Sequence, residues 1–203
     1  MGNRAVIKFV GEKCGIYLHW NGGRDSVEAF LKYCELRGFR CGDYGIARIA
    51  QVIGNWFGGS LSIGIIDTAH KPERLDPGDN GVYYVKDWKI VRRYPKDVCE
   101  QHEYDLNEFL RDIDKAQPMK DRLGEEFLDS EEVDVSELKI GDEVWFDEYD
   151  GGWKKSRIIG FHSGWVNGDF KENAPYADRF GNAFPERNPN NYVRTAKCRR
   201  VKK

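Results

Sequence analysis

The sequence predicts an α+β fold, with helices on one face of an antiparallel sheet, followed by a small β-barrel-like module. Three observations carry this reading. Short β-branched runs and amphipathic helical stripes alternate in the order β-β-α-α-β-β-β-α over residues 1–120. Beyond them, short apolar runs recur between turn residues with no further helical stripe. The charge also reverses within the last third. Residues 125–150 hold twelve carboxylates and one cation, Lys139, whereas residues 151–203 hold twelve Lys/Arg and four carboxylates.

Arg4–Val10 and Gly15–Trp20 read as strands joined by the glycine-bounded loop Gly11–Gly15. A turn, Asn21–Ser26, leads into a helix whose stripe is Val27, Phe30, Leu31 and Cys34. Asp25 with Glu28 three residues later resembles a capping pair, and Gly38 is the stop. A second helix spans Tyr44–Phe57, with Ile46, Ile49, Ala50, Ile53, Trp56 and Phe57 inward and Gly58-Gly59 at its end. Leu61, Ile63 and Ile65 alternate with small residues as a half-buried strand does. Val82–Val85 and Lys89–Tyr94 flank Asp87-Trp88 as a hairpin. Asp105 caps a third helix with the stripe Leu106, Phe109, Leu110 and Ile113, which Pro118 closes.

Residues 121–136 read as an acidic linker. Strands are then expected at Val144–Phe146, Ser156–Phe161 and Tyr192–Lys197, with a long Asn-, Gly- and Pro-rich loop over Asn167–Asn191. Leu138–Trp145 resembles the opening strand and diverging turn of SH3-like barrels, and Trp153 with Lys155–Ile158 fits the strand that follows. The resulting domain covers residues 137–203 and ends in a basic tail.

Composition narrows the function classes. The hydrophobic share of 40% supports a buried core. Five cysteines (Cys14, Cys34, Cys41, Cys99, Cys198) form no C-x-x-C pair, which reads as free thiols in a reducing compartment. No apolar run approaches a membrane span and no signal-peptide core opens the chain, so a cytoplasmic protein without membrane contact is expected. His19, His70, His102 and His162 are scattered, and Asp67, His70, Asp76 and Asp79 lack metal-loop spacing. No catalytic residue, metal or cofactor is therefore assigned.

Three surfaces remain as candidates. The first is acidic: Glu125, Glu126, Asp129, Glu131, Glu132 and Asp134 could occupy a basic groove as a phosphate backbone does. Phe127, Leu128 and Val133 interrupt that run, so part of it must pack. The second is basic: Arg194, Lys197, Arg199 and Arg200, among many aromatics, suit a nucleic acid or else neutralise the acidic run within the chain. The third is the Gly22-Gly23-Arg24 turn at a helix start, which could meet an anion. Its spacing fits neither phosphate-binding fingerprint, and Asp25 beside it opposes an anion.

Gly2–Ile7, Tyr17–Leu31 and Ile53–Gly59 resemble uncharacterised small proteins of Firmicute bacteria and their phages, over about the first 95 residues. That resemblance implies no reaction. It implies a phage accessory role such as blocking a host defence, as inhibitors of CRISPR nucleases do, often without catalysis. The expected partner is then a host protein with a basic nucleic-acid groove. Two rivals stay open: a nucleotide-binding protein or enzyme using residues 19–26, and a nucleic-acid binder using the basic module. The oligomeric state is left open.

Overall fold

Residues 2–59, 61–95, 103–148, 152–166, 169–178, 192–194 and 198–201 are described by a computed structural model. The chain divides into two units, Met1–Leu123 and Gly124–Lys203. In the first, strands β1 (Ala5–Phe9), β2 (Cys14–Leu18), β3 (Ile63–Asp67), β4 (Val82–Lys86) and β5 (Lys89–Tyr94) lie in the order β3-β2-β1-β4-β5. Helices α1 (Arg24–Leu36), α2 (Asp43–Phe57) and α4 (Leu106–Ala116) pack on one another, and α3 (Pro72–Leu75) is a single turn.

The sheet is mixed rather than antiparallel, because β1 and β4 run parallel, with Val6 opposite Val82 and Phe9 opposite Val85. Parallel neighbours need a long crossover. Here β2, α1, α2, β3 and α3 intervene, and no local pattern reveals the direction of the return. Ala5, Ile7, Phe9, Ile16, Leu18, Tyr83 and Val85 form the sheet face buried with the helical residues Phe30, Leu31, Ile49, Ile53 and Ile113. On the other face Leu75 packs on Val6 and Val82, ringed by half-buried Tyr17, Ile66, Tyr84 and Tyr94. Lys8 and Arg92 approach the Tyr84 ring to 5.7 and 4.1 Å.

Helix ends follow the expected chemistry with one exception. Asp105 accepts from the Asn107 and Glu108 amides at 2.9 and 3.1 Å, and Gly58 closes α2 in the left-handed conformation. Asp25, however, is not the cap of α1. Gly23 takes that position without a side-chain bond, and Asp25 lies in the first turn, where its charge favours the helix dipole. In the β4–β5 hairpin Asp87 and Trp88 both adopt positive φ, as a tight two-residue connection requires. That conformation is costly for a bulky residue. Burial of the Trp88 ring and its Nε1 bond to Phe39 O at 2.7 Å offset the cost.

Polar groups also enter the first core. The Tyr33 hydroxyl donates to Asp114 at 2.7 Å, and the Leu123 amide donates to the same oxygen at 2.6 Å. Buried Gln117 donates to Val52 O and Ile113 O and accepts from Asn55. These bonds tie α1, α2 and α4 to the segment that leaves the unit.

The second unit holds α5 (Glu125–Leu128), β6 (Ser130–Val133), β7 (Glu143–Glu148), β8 (Gly152–Val166), β9 (Asp169–Asp178), β10 (Tyr192–Arg194) and β11 (Cys198–Val201). They form an antiparallel sheet in the order β10-β9-β8-β7-β11-β6. Val133, Leu138, Val144, Phe146, Ile158 and Cys198 are its core, with Phe161 against them. Among the described residues β6 and β10 end the sheet without pairing to each other, so no closed barrel forms there. Residues 125–133, expected as linker, carry α5 and β6, because buried Phe127, Ser130 and Val133 anchor them. The loop expected over Asn167–Asn191 contains β9, which prolongs a hairpin with β8; residues 179–191 lie outside the described set.

Candidate functional site

The acidic surface is built on exposed carboxylates held between buried anchors. Phe127, Ser130 and Val133 point into the second unit, whereas Glu125, Glu126, Asp129, Glu131, Glu132 and Asp134 are all exposed. Glu125 and Glu126 occupy the first turn of α5, Asp129 ends it, and Glu131 and Glu132 stand on the edge strand β6. Asp134 turns the chain, accepting from the Ser136 amide at 2.8 Å and hydroxyl at 2.7 Å, which lowers its pKa. Charged residues on an edge strand also discourage pairing with another sheet.

The neighbouring cations are largely engaged inside the unit. β11 pairs with β6 so that Arg199 lies opposite Glu132 and Arg200 opposite Glu131. Arg199 stacks 5.1 Å from the Phe127 ring centroid, and its guanidinium donates to Ser130 Oγ at 2.9 Å and to Ser130 O. Arg200 reaches Asp142 at 3.7 Å and Glu137 at 3.9 Å. Lys155 pairs with Glu126 and lies 4.0 Å from Glu143, which Arg157 meets at 3.1 Å. Of the other basic candidates, Arg194 sits in β10 and Lys197 lies outside the described residues. The structure therefore brings Arg199 and Arg200 to the acidic strand as its supports. The sequence marked Phe127 as packing, but offered no sign of Ser130 and Lys155 as groups that hold the two together.

The glycine turn has a different geometry from an anion cradle. A Cβ on Gly22 would lie 2.6 Å from Ala5 Cβ and 2.7 Å from Ala5 N, so the absent side chain is what lets the turn cross β1. The Gly22 amide donates to Asn3 O at 2.7 Å, and the Arg24 guanidinium meets Glu28 at 2.6 Å. Gly22 and Arg24 are both committed to internal bonds, and Gly23 is the helix cap.

Of the loop candidates, Asp67 and His70 approach to 3.8 Å, while Asp76 and Asp79 go elsewhere. Asp79 clamps the backbone amide and guanidinium of Arg4, which holds its carboxyl down at about 2. Asp67 accepts from Ala69 N and Asp76 from Gly78 N, each within its own turn. No cluster of three metal-binding side chains occurs among the described residues. Burial pushes the Cys198 thiol up to about 12 and raises Cys34 well above its ordinary value, which suppresses thiolate chemistry at both. Cys99 and His102 lie outside the described residues. No described helix is long and apolar enough to cross a membrane. In comparisons with known proteins, the chain matches no family model, no curated protein and no solved structure.

Proposed function

We propose that the chain is a non-catalytic binding protein whose acidic edge occupies the basic, nucleic-acid-binding groove of a partner protein. A phage-encoded inhibitor of a host nucleic-acid-handling defence protein, acting in the host cytoplasm, is the setting that the resemblance of the first 95 residues implies. One observation carries the reading: six carboxylates within residues 125–134 are exposed while Phe127 and Val133 between them are buried. An ordered row of negative charge presents itself to a basic groove without the entropy loss that a disordered tail would suffer. Arg199 and Arg200, on the neighbouring strand β11, are held in bonds that leave them less suited to nucleic acid. The SH3-like reading of the second unit belongs to the same proposal. It is supported by β11 returning beside β7 and by β8, long enough to pair with β7 at one end and β9 at the other.

The test is retention of host proteins on the immobilised full-length chain after nuclease treatment. A bound protein should be released by added DNA or RNA and by salt, since exposed charges are screened beyond about 8 Å at physiological ionic strength. Glu131→Lys, Glu132→Lys and Asp134→Lys together should slow its association more than they change its dissociation. Binding indifferent to salt, to competing nucleic acid and to the triple reversal would defeat the reading.

A further inference from the structure

The two edges of the first sheet are guarded unequally. β5 carries exposed Lys89 and Arg92, cations of the kind that blunt sheet edges, while Arg93 is buried against Tyr83 and Asn80. β3, at the other edge, reads Ile63-Gly64-Ile65-Ile66-Asp67 and has no charge before its last residue. Ile65 shares a face with Ile7 and Ile16, which are fully buried, yet is itself 58% exposed. Leu61 just ahead of the strand is fully exposed, and Trp20 just beyond β2 is 44% exposed. Helix α2 reaches Ile63, where a Cβ on Gly54 would lie 3.5 Å from the Ile63 Cδ1, but leaves Ile65 largely uncovered.

The backbone register says which groups the edge presents. His19 N donates to Ser62 O, and Thr68 N donates to Lys13 O. With Tyr17 opposite Gly64 and Gly15 opposite Ile66, the even-numbered residues of β3 direct their N–H and C=O groups toward β2. Ile63, Ile65 and Asp67 therefore direct theirs outward, where no strand pairs with them among the described residues. A half-buried backbone polar group needs a partner, and no described strand supplies one at this apolar margin.

We infer that β3 is a self-association edge, and that two copies of this chain join their first sheets by antiparallel β3–β3 pairing about Gly64. The strand is complementary to itself in that register. Ile63 meets Ile65 of the second copy and Ile65 meets its Ile63, each pair exchanging two N–H···O bonds between groups that already point outward. Because side chains two apart share a face, all four isoleucines fall on the helix-bearing side, and each Ile65 gains the cover it lacks. Gly64 sits on the two-fold axis as a non-hydrogen-bonded pair with itself, the position of closest approach. Such an interface is isologous and closes as a dimer, which leaves no open edge for further growth at that end. The occupant is a second copy rather than a foreign strand because one register satisfies both the outward backbone groups and the apolar face.

Sedimentation of the full-length chain over a wide concentration series tests this directly. A reversible monomer–dimer equilibrium is expected, and a monomer at every concentration would overturn the inference. Ile65→Lys should shift the equilibrium to monomer at least tenfold while circular dichroism and the melting transition stay near those of the parent. Undiminished association in a folded Ile65→Lys variant would exclude this edge. Gly64→Cys supplies an independent reading, made with Cys14→Ser because Cys14 is an exposed thiol. A Cβ on Gly64 meets only Tyr17 carbons at 3.7 Å, an ordinary contact. Non-hydrogen-bonded pairs place Cα atoms about 4.5 Å apart, inside the roughly 4.4–6.8 Å that a disulfide spans. Mild oxidation should convert the dimer to a covalent one through the two introduced thiols. A dimer that persists without cross-linking would refute the register, and with it the proposed interface.

Discussion

Replacing Arg199 by Ala separates two readings of the basic tail. If the residue supports the acidic strand, its loss is a stability defect; if it contacts nucleic acid, its loss is an affinity defect. Two hydrogen bonds to Ser130 disappear, each contributing about 0.5–1.5 kcal/mol net. The guanidinium also leaves the Phe127 face, an interaction of about 0.5–1 kcal/mol at a partly exposed site. Arg199 is half-buried, so the lower halves of these ranges apply, and the total destabilisation expected is about 2 kcal/mol. Trp145 and Trp153 lie 5.4 and 5.2 Å from the Phe127 ring, so their fluorescence should follow the unfolding of this unit in urea. The midpoint should fall with little change in slope. Arg199→Lys should recover only a part, since an ammonium keeps the charge but loses the planar fork. A destabilisation below about 0.5 kcal/mol, within the ordinary range for surface substitutions, would refute the structural assignment. So would a variant of unchanged stability that bound nucleic acid less tightly than the parent.

Tyr33→Phe removes one donor from buried Asp114 and should cost about 1.5–3 kcal/mol, as bonds to charged groups do, read as a lowered melting temperature of the first unit. Gly22→Ala should destabilise by about 1–3 kcal/mol through overpacking against Ala5, while nucleotides shift the melting of the parent chain not at all; a clear shift would reinstate the turn as an anion site. Asp79→Asn tests the clamp on Arg4 by pH. The folded carboxyl titrates at about 2, below its ordinary 3.8, so its contribution is complete above the ordinary value and disappears as pH falls toward 2. The variant should lack that component of acid destabilisation, and an acid titration of stability identical to the parent's would contradict the clamp.

What could be read from the sequence was local. The stripes of α1, α2 and α4, the Asp105 cap and the Asp87-Trp88 hairpin all depend on residues within a few positions of one another. The parallel β1–β4 pairing joins strands more than seventy residues apart, and β6 pairs with β11 across a similar separation. Nothing near Ser130–Val133 marks it as a strand, because its outward residues are all charged and only Val133 is apolar. Tyr33 and Asp114 meet across 81 positions, so neither the helical stripe nor the charge pattern distinguished the buried carboxylate from its exposed neighbours. The candidate acidic residues were visible because charge is a property of composition. Pairing of the basic cluster with the acidic run was also expected from charge, whereas the particular bonds of Arg199 to Ser130 and Phe127 depend on which strand lies beside which.

The pairing of β6 with β11 changes what the charge reversal means. Acidic and basic halves on separate modules would each seek an external partner of opposite sign. Brought into one sheet, they partly neutralise each other, and the question becomes which sign remains outside. Arg199 and Arg200 are half-buried and bonded to Ser130, Phe127, Glu137 and Asp142, whereas Glu131 and Glu132 are exposed at the sheet margin. On the proposed reading, the carboxylates exposed at that margin would repel nucleic acid and attract a basic surface over a distance set by the salt. The proposed basic partner surface, rather than nucleic acid, is what such an edge would favour.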